Sequence, residues 1–221
     1  MMRLQRRFKD LGIEGATARW YDSNTKKNRL REMEAYAKDV SMHAQDGASI
    51  LEVAPGPGYL AIELAKTGRY RVTGIDISKD FVEIAKRNAR DAGVEVDFRQ
   101  GNASAMPFAD NTFDFIICTA AFKNFKEPLR ALMEMHRVLK TGGTALVVDM
   151  NKKASYEQID AYAKSVGAAG RDGLFMKLIF KYFLRNGAYT RKEIESLISK
   201  TPFASHEIRE EGIGFYIYLR R

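Results

Sequence analysis

The chain has 221 residues, 45% hydrophobic and 29% charged, enough for one sizeable core and short of two ordinary domains with a linker. That balance excludes a disordered chain. With no apolar run near the roughly 20 residues that span a bilayer, and none behind the basic N-terminus, it predicts a cytoplasmic protein. The net charge of +8 sits in two segments, Met1 to Arg31 and Lys152 to Lys192, each with nine basic and three acidic residues.

Residues 1–48 are predicted as a helical flank. From Ser49 the pattern alternates short apolar runs with helical spacing, which predicts a mostly parallel sheet covered by helices on both faces. Strands are expected at Ser49–Ala54, Arg71–Asp76, Val94–Gln100, Phe113–Thr119 and Gly143–Asp149, with helices at Gly58–Lys66, Lys79–Asp91 and Glu127–Leu139 between them. Gly68, Gly93 and the pair Gly142-Gly143 are expected to stop those helices. About forty residues, 151–190, then interrupt the alternation as a helical insertion. A helix at Arg191–Lys200 and strands near His206–Glu211 and Phe215–Leu219 follow, suited to an antiparallel strand closing the sheet. The domain proper is thus 49–221.

The run Leu51-Glu52-Val53-Ala54-Pro55-Gly56-Pro57-Gly58-Tyr59 leaves a strand and enters a helix. Gly56 and Gly58 let the backbone approach a ligand, and the helix offers unpaired N–H groups there. Gly56 to Ala61 also fits the dinucleotide pattern G-x-G-x-x-G/A, with Asp76 about twenty residues on to hold a ribose. Glu52 bears on the choice of cofactor. A carboxylate inside an apolar strand needs a cation or strong donors; S-adenosylmethionine (SAM) brings an ammonium, whereas a pyrophosphate would be repelled. Satisfaction by protein donors alone stays open. Asp76 ends the second strand where it suits two ribose hydroxyls, and Ser78 is the better cap for the next helix.

Together, Glu52-x-Ala-Pro-Gly-Pro-Gly, Asp76, Gly101-Asn102-Ala103-x-x-Met106-Pro107-Phe108, Asn111-Thr112-Phe113-Asp114 and Arg137-Val138-Leu139-Lys140-Thr141-Gly142-Gly143 resemble the ubiquinone/menaquinone-biosynthesis type of class I methyltransferase, over roughly Ile50 to Asp149. The resemblance implies a Rossmann-like fold with SAM as cofactor. It implies a cofactor site lined by Glu52, Ala54, Gly56, Gly58, Asp76, Ile77, Asn102 and Ala103, with Met106 beside the adenine and Thr119 and Ala120 under the methionine part. Two departures matter. Asn102 stands where the family commonly has Asp, and its amide can still accept from the adenine amino group. After the fourth strand, Ala121-Phe122-Lys123-Asn124-Phe125 stands where the family often has a histidine-bearing segment, so no mechanism through that histidine is carried over.

His43, His136 and His206 are read as structural or solvated, and Cys118, the only cysteine, as a packed apolar residue that excludes an internal disulfide and a cysteine-based metal site. No metal is expected. Tyr21, in Arg19-Trp20-Tyr21-Asp22, is the candidate acceptor-side residue, because in the resembled family this flank often folds over the cofactor; anchoring the N-terminal helix is its alternative role. In the insertion, Phe175, Leu178, Ile179, Tyr182 and Phe183 share one helical face, widened by Met176, Phe180 and Leu184, opposite Lys177, Lys181 and Arg185. That surface is expected to form a lid over a largely apolar and in some cases anionic small acceptor, with a membrane contact or a dimer contact as alternatives. A nucleic-acid acceptor fits the basic flanks but lacks N/D-P-P-Y/F after the fourth strand. An NAD(P) oxidoreductase lacks any Tyr-x-x-x-Lys pair, and a non-catalytic binding protein stays open.

Overall fold

The structure, a computed structural model, describes residues 9–166 and 187–221. Two helices, α1 (Gly15–Asn28) and α2 (Leu30–His43), come first, separated at Arg29, whose φ of −126° and ψ of 5° leave the helical region. Then follow β1 (Ser49–Val53), α3 (Tyr59–Lys66), β2 (Arg71–Asp76), α4 (Lys79–Asp91), β3 (Asp97–Gln100), β4 (Phe113–Thr119), α5 (Pro128–Val138) and β5 (Leu139–Met150). The chain ends with α6 (Tyr156–Ser165), α7 (Arg191–Ile198), β6 (Ser205–Glu211) and β7 (Gly214–Arg220).

The strands form one sheet in the order β3-β2-β1-β4-β5-β7-β6. The first five are parallel, and β7 runs antiparallel to both β5 and β6. The expected antiparallel strand is therefore β7, but it lies inside the sheet and β6 takes the edge. Side chains alternate faces along a strand. Ile50 packs with α2, α3 and α4, while Leu51 and Val53 pack with α5 and α7 in a second core layer. The strand order reverses between β1 and β4, which opens a crevice at the carboxyl edge of the sheet.

Several boundaries differ from expectation. β3 begins at Asp97, because Val94 and Val96 pack as partly buried residues on the α2–α4 layer and the register with β2 starts at Thr73 and Asp97. The strand expected from Gly143 begins at Leu139, paired with Phe113, and its register shifts before Thr144 meets Phe115. Gly142, at φ +79°, lies in that irregular stretch and donates its N–H to Arg221, so the glycine pair shapes a strand and does not stop a helix. Gly68 and Gly93 do adopt the left-handed conformation just past α3 and α4. α7 ends at Ile198, two residues early. Of the insertion, α6 is described, with a full capping box from Ser155 and Gln158; the apolar face expected over 175–184 lies outside the described residues. No helix among the described residues is long and apolar enough to cross a membrane.

Two stretches of the resemblance prove architectural. Arg137 donates to the carbonyls of Met106 and Phe108 and to the carboxylates of Asp110 and Glu134, clamping the loop after β3 onto α5. Lys140 pairs with Asp114 at 2.8 Å, and Asp114 also accepts from the Ser49 N–H, so β1, β4 and β5 are tied at their amino ends.

Candidate active site

A cavity of about 340 Å³ occupies the crevice. Glu52, Ala54, Pro55, Gly56, Pro57 and Tyr59 line it from the β1–α3 connection, Asp76 and Ile77 from the end of β2, and Gly101, Asn102 and Ala103 from the end of β3. Thr119, Ala120 and Ala121 come from the end of β4, and Tyr21, Thr25, Arg29 and Met33 from α1 and α2.

Glu52 is 2% exposed. It sits on the α3 side of β1, and its Oε2 accepts from the Ala61 N–H at 2.9 Å. Ala61 is the third residue of α3, whose N-cap is Gly58 with no side chain to offer, so Glu52 takes over one of the helix's orphan donors. The expectation that Glu52 needs a partner is thus met in part from inside the protein. Among the described residues no lysine or arginine pairs with it. Burial pushes its carboxyl up to about 8, with Asp76 nearby adding to the rise and the Ala61 N–H opposing it. A ligand that brings a cation here meets a carboxyl short of partners.

Asp76 is 5% exposed and accepts from the Gly56 N–H through Oδ2 and from the Ser78 N–H through Oδ1, each at 2.9 Å. Burial raises its pKa, and those two N–H groups pull it back part of the way. The cap of α4 is Ser78, which accepts from the Phe81 N–H, so Asp76 is not the capping residue. Each carboxylate oxygen keeps a lone pair for a ligand hydroxyl. Asn102 accepts from the Ser104 N–H at 2.8 Å, which fixes its amide at the cavity wall.

Ala54 and Ala120 both adopt positive φ, +57° and +55°, where the chain turns sharply out of β1 and β4 beneath the cavity. Two expected site residues stand elsewhere. Met106 is 4% exposed and packs in the α5–α7 core layer, because Arg137 pulls its carbonyl toward α5 and its N–H donates to Glu134. Gly58 lies behind the cavity wall: a Cβ there would stand 2.7 Å from Phe98 and 2.8 Å from Ala85, so this glycine lets α3 pack on α4 and β3.

Tyr21 sits between α1 and the cavity. Its ring packs edge-on against Phe81, centroids 5.5 Å apart, and its side chain lines the cavity. The composition of the flank gave no sign of what precedes it. Asp10, Leu11, Gly12 and Ile13 also line the cavity as a strap fastened at both ends. Asp10 accepts from the Lys126 N–H and donates to the Asn124 carbonyl; Glu14 accepts from the N–H groups of Lys79 and Asp80, while the Gly15 N–H donates to Asp80. The three histidines and Cys118 lie off the cavity wall.

Residues 51–147 match a family model described as "Methyltransferase domain". The ubiquinone/menaquinone biosynthesis C-methyltransferase UbiE of Bdellovibrio bacteriovorus is 34% identical over 110 residues, 49% of this chain and 47% of that protein. The demethylmenaquinone methyltransferase of Chlorobaculum parvum is 37% identical over 100 residues, 45% of this chain and 40% of that protein. The chain thus spans less than half the length of these curated relatives. A crystal structure of a SAM-dependent methyltransferase from Aquifex aeolicus superposes with a TM-score of 0.66 at 20% identity, covering 91% of this chain and 95% of that one. One from Methanococcus maripaludis, provisionally described as an S-adenosyl-L-methionine-dependent methyltransferase, reaches 0.81 at 22% identity, covering 96% and 94%. These likenesses extend the fold beyond the matched segment. Residues 51–147, less than half of the chain, are thus similar to the methyltransferase-domain family.

Proposed function

We propose that this protein is a SAM-dependent methyltransferase acting on a small, largely apolar acceptor. The observation that carries the reading is Glu52, a buried carboxyl with one backbone donor and no basic partner among the described residues, in the wall of a cavity built at the strand-order reversal. The polar groups fit the cofactor: Glu52 to accept from an ammonium, Asp76 to accept from ribose hydroxyls, and the Asn102–Ala103 turn for the adenine. A dinucleotide pyrophosphate would face the Asp76 carboxylate and brings no cation that could drive the buried Glu52 carboxyl to its charged form.

SAM, when bound, supplies a sulfonium methyl that is already electrophilic. The work left to the chain is therefore to hold the acceptor in line and to exclude water. Leu11, Ile13, Met33, Phe81 and Phe125 give the cavity its apolar wall, which supports an apolar acceptor. The names of the curated relatives place them in quinone biosynthesis, and a quinone-like ring would suit such a wall. Calorimetry with SAM, NAD and NADP tests the cofactor: SAM and its demethylated product should give heat and the dinucleotides none. Tight NAD binding without SAM heat would overturn the proposal.

A further inference from the structure

Three of the six large apolar side chains exposed among the described residues fall within ten residues of the N-terminal flank: Leu11 at 61%, Ile13 at 37% and Trp20 at 55%. Leu11 and Ile13 belong to the strap that lines the cavity, and that strap is held down. The Ile13 carbonyl accepts from the Ser78 hydroxyl at 2.8 Å, and a Cβ on Gly12 would stand 2.9 Å from the Ser78 Cα. Their exposure at the cavity rim is thus set by the fold. In α1, Ala18 and Thr25 are buried, and Ala18 and Tyr21 pack with Phe81 and Ile84 of α4. On the opposite face Trp20, Ser23 and Lys27 recur at intervals of three and four residues, with Arg19 and Lys26 beside them, all exposed.

The three carboxylates between Met1 and Arg31 are all engaged by neighbouring elements. Asp10 accepts from the Lys126 N–H, and Glu14 from the N–H groups of Lys79 and Asp80. Asp22 accepts from the Tyr59 hydroxyl, the Asn88 amide and the Arg87 guanidinium. Arg19, Lys26, Lys27 and Arg31 are exposed, and among the described residues they pair with no carboxylate. Glu34, exposed on α2, can offset one of them. The surface beside the cavity mouth therefore joins unneutralised cations to one aromatic and two aliphatic side chains.

We propose that this surface docks the protein on an anionic lipid bilayer. Basic residues are drawn to negative headgroups, each strengthening binding about five-fold. Tryptophan settles at headgroup level, and exposed Leu and Ile beside Lys and Arg suit the boundary between headgroups and acyl chains. A nucleic acid would answer the cations but leave Leu11 and Ile13 in water, and a second copy of the chain would bring the same positive charge. An apolar acceptor dissolved in the bilayer would then reach the cavity past Leu11 and Ile13; that consequence rests on the reading of the acceptor given above, and the docking itself does not.

Trp20 is the chain's only tryptophan, so its fluorescence reports this surface directly. The test titrates the full chain with vesicles of phosphatidylcholine, alone or with about 30% phosphatidylglycerol, and reads emission and sedimentation together. With phosphatidylglycerol the emission should move to shorter wavelength and be quenched by brominated acyl chains, and salt at about 0.5 M should release the protein. Phosphatidylcholine alone should leave it in solution. Lys26→Glu with Lys27→Glu should weaken binding at least about 25-fold, and Trp20→Ser several-fold, with thermal midpoint and SAM affinity unchanged, since these side chains lie off the cavity wall. A wild type that does not sediment with the anionic vesicles would overturn the proposal, whether it binds single-stranded RNA instead or forms a dimer that shields Trp20. Sedimentation with Trp20 emission unmoved and full affinity in the double variant would place the contact elsewhere and overturn it too. Each of these results leaves the cofactor reading standing, and absence of SAM heat leaves the docking standing.

Discussion

Lys123 and Asp149 form a buried ion pair at the carboxyl ends of β4 and β5, 2.9 Å apart, with side chains 6% and 3% exposed. Asp149 also accepts from the backbone N–H of Lys123 and of Met150, and the Lys123 ammonium donates to the Ala120 carbonyl. The pair therefore ties the left-handed turn at Ala120, in the floor of the cavity, to the neighbouring strand. Lys123 belongs to the segment that the resemblance left without a histidine, and its part here is to hold that turn.

Removing one partner of such a pair leaves an uncompensated charge. Lys123→Met should cost about 3–5 kcal/mol, whereas Lys123→Met with Asp149→Leu should recover much of it. Urea unfolding of the two variants checks this. A single variant within about 1 kcal/mol of wild type would mean that the pair is hydrated in solution.

Glu52 makes stability and binding depend on pH. Its folded pKa, about 8, lies above the ordinary carboxyl value of 4.5. The folded state thus holds a proton that the unfolded state gives up, and the associated stability is fully present below about pH 4.5 and lost as pH rises through 8. Glu52→Gln cannot ionise, so its stability relative to wild type should grow from pH 5 to pH 8. An ammonium ligand drives Glu52 to its charged form, so SAM binding at pH 7 should release up to about one proton. Calorimetry in buffers of different ionisation enthalpy reads that release; the same proton count for wild type and Glu52→Gln would take Glu52 out of the ammonium role.

Asp76→Ala removes the acceptor for two backbone N–H groups and for the ribose. Hydrogen bonds to a charged group are worth roughly 1.5–3 kcal/mol, so SAM affinity should fall by about one to two orders of magnitude. Thermal midpoint should fall as well, since Gly56 and Ser78 each lose a partner. An affinity unchanged in a folded variant would leave Asp76 with the turn alone.

The two glycines of the β1–α3 turn should separate by effect. Both have positive φ, +56° at Gly56 and +82° at Gly58, which costs an alanine about 1–2 kcal/mol. Gly58→Ala adds a Cβ 2.7 Å from Phe98 and 2.8 Å from Ala85, and such overpacking costs about 1–3 kcal/mol more. Gly56→Ala meets nothing closer than 3.9 Å but adds bulk to the cavity wall. Gly58→Ala should therefore show the larger loss of stability and Gly56→Ala the larger loss of SAM affinity, measured by thermal melts and calorimetry on the same preparations.

The sequence by itself determined the alternation of strands and helices and the place of Glu52, Gly56 and Asp76 at strand ends. These follow from local periodicity and from turn geometry, which are written in neighbouring residues. It could not tell Gly56 from Gly58, because which glycine faces a ligand and which faces Phe98 depends on how α3 lies against α4 and β3. It placed Met106 beside the adenine by resemblance, whereas the Arg137 clamp, thirty-one residues away along the chain, turns that loop into the core. The basic flank read only as charge. That Thr25 and Arg29 stand across the cavity from the sheet, and that Lys123 meets Asp149 over twenty-six residues, was decided by the docking of α1 and α2 over the crevice and by the adjacency of β4 and β5. Such pairings are set by which surfaces the sheet leaves to be covered, and no local pattern encodes them.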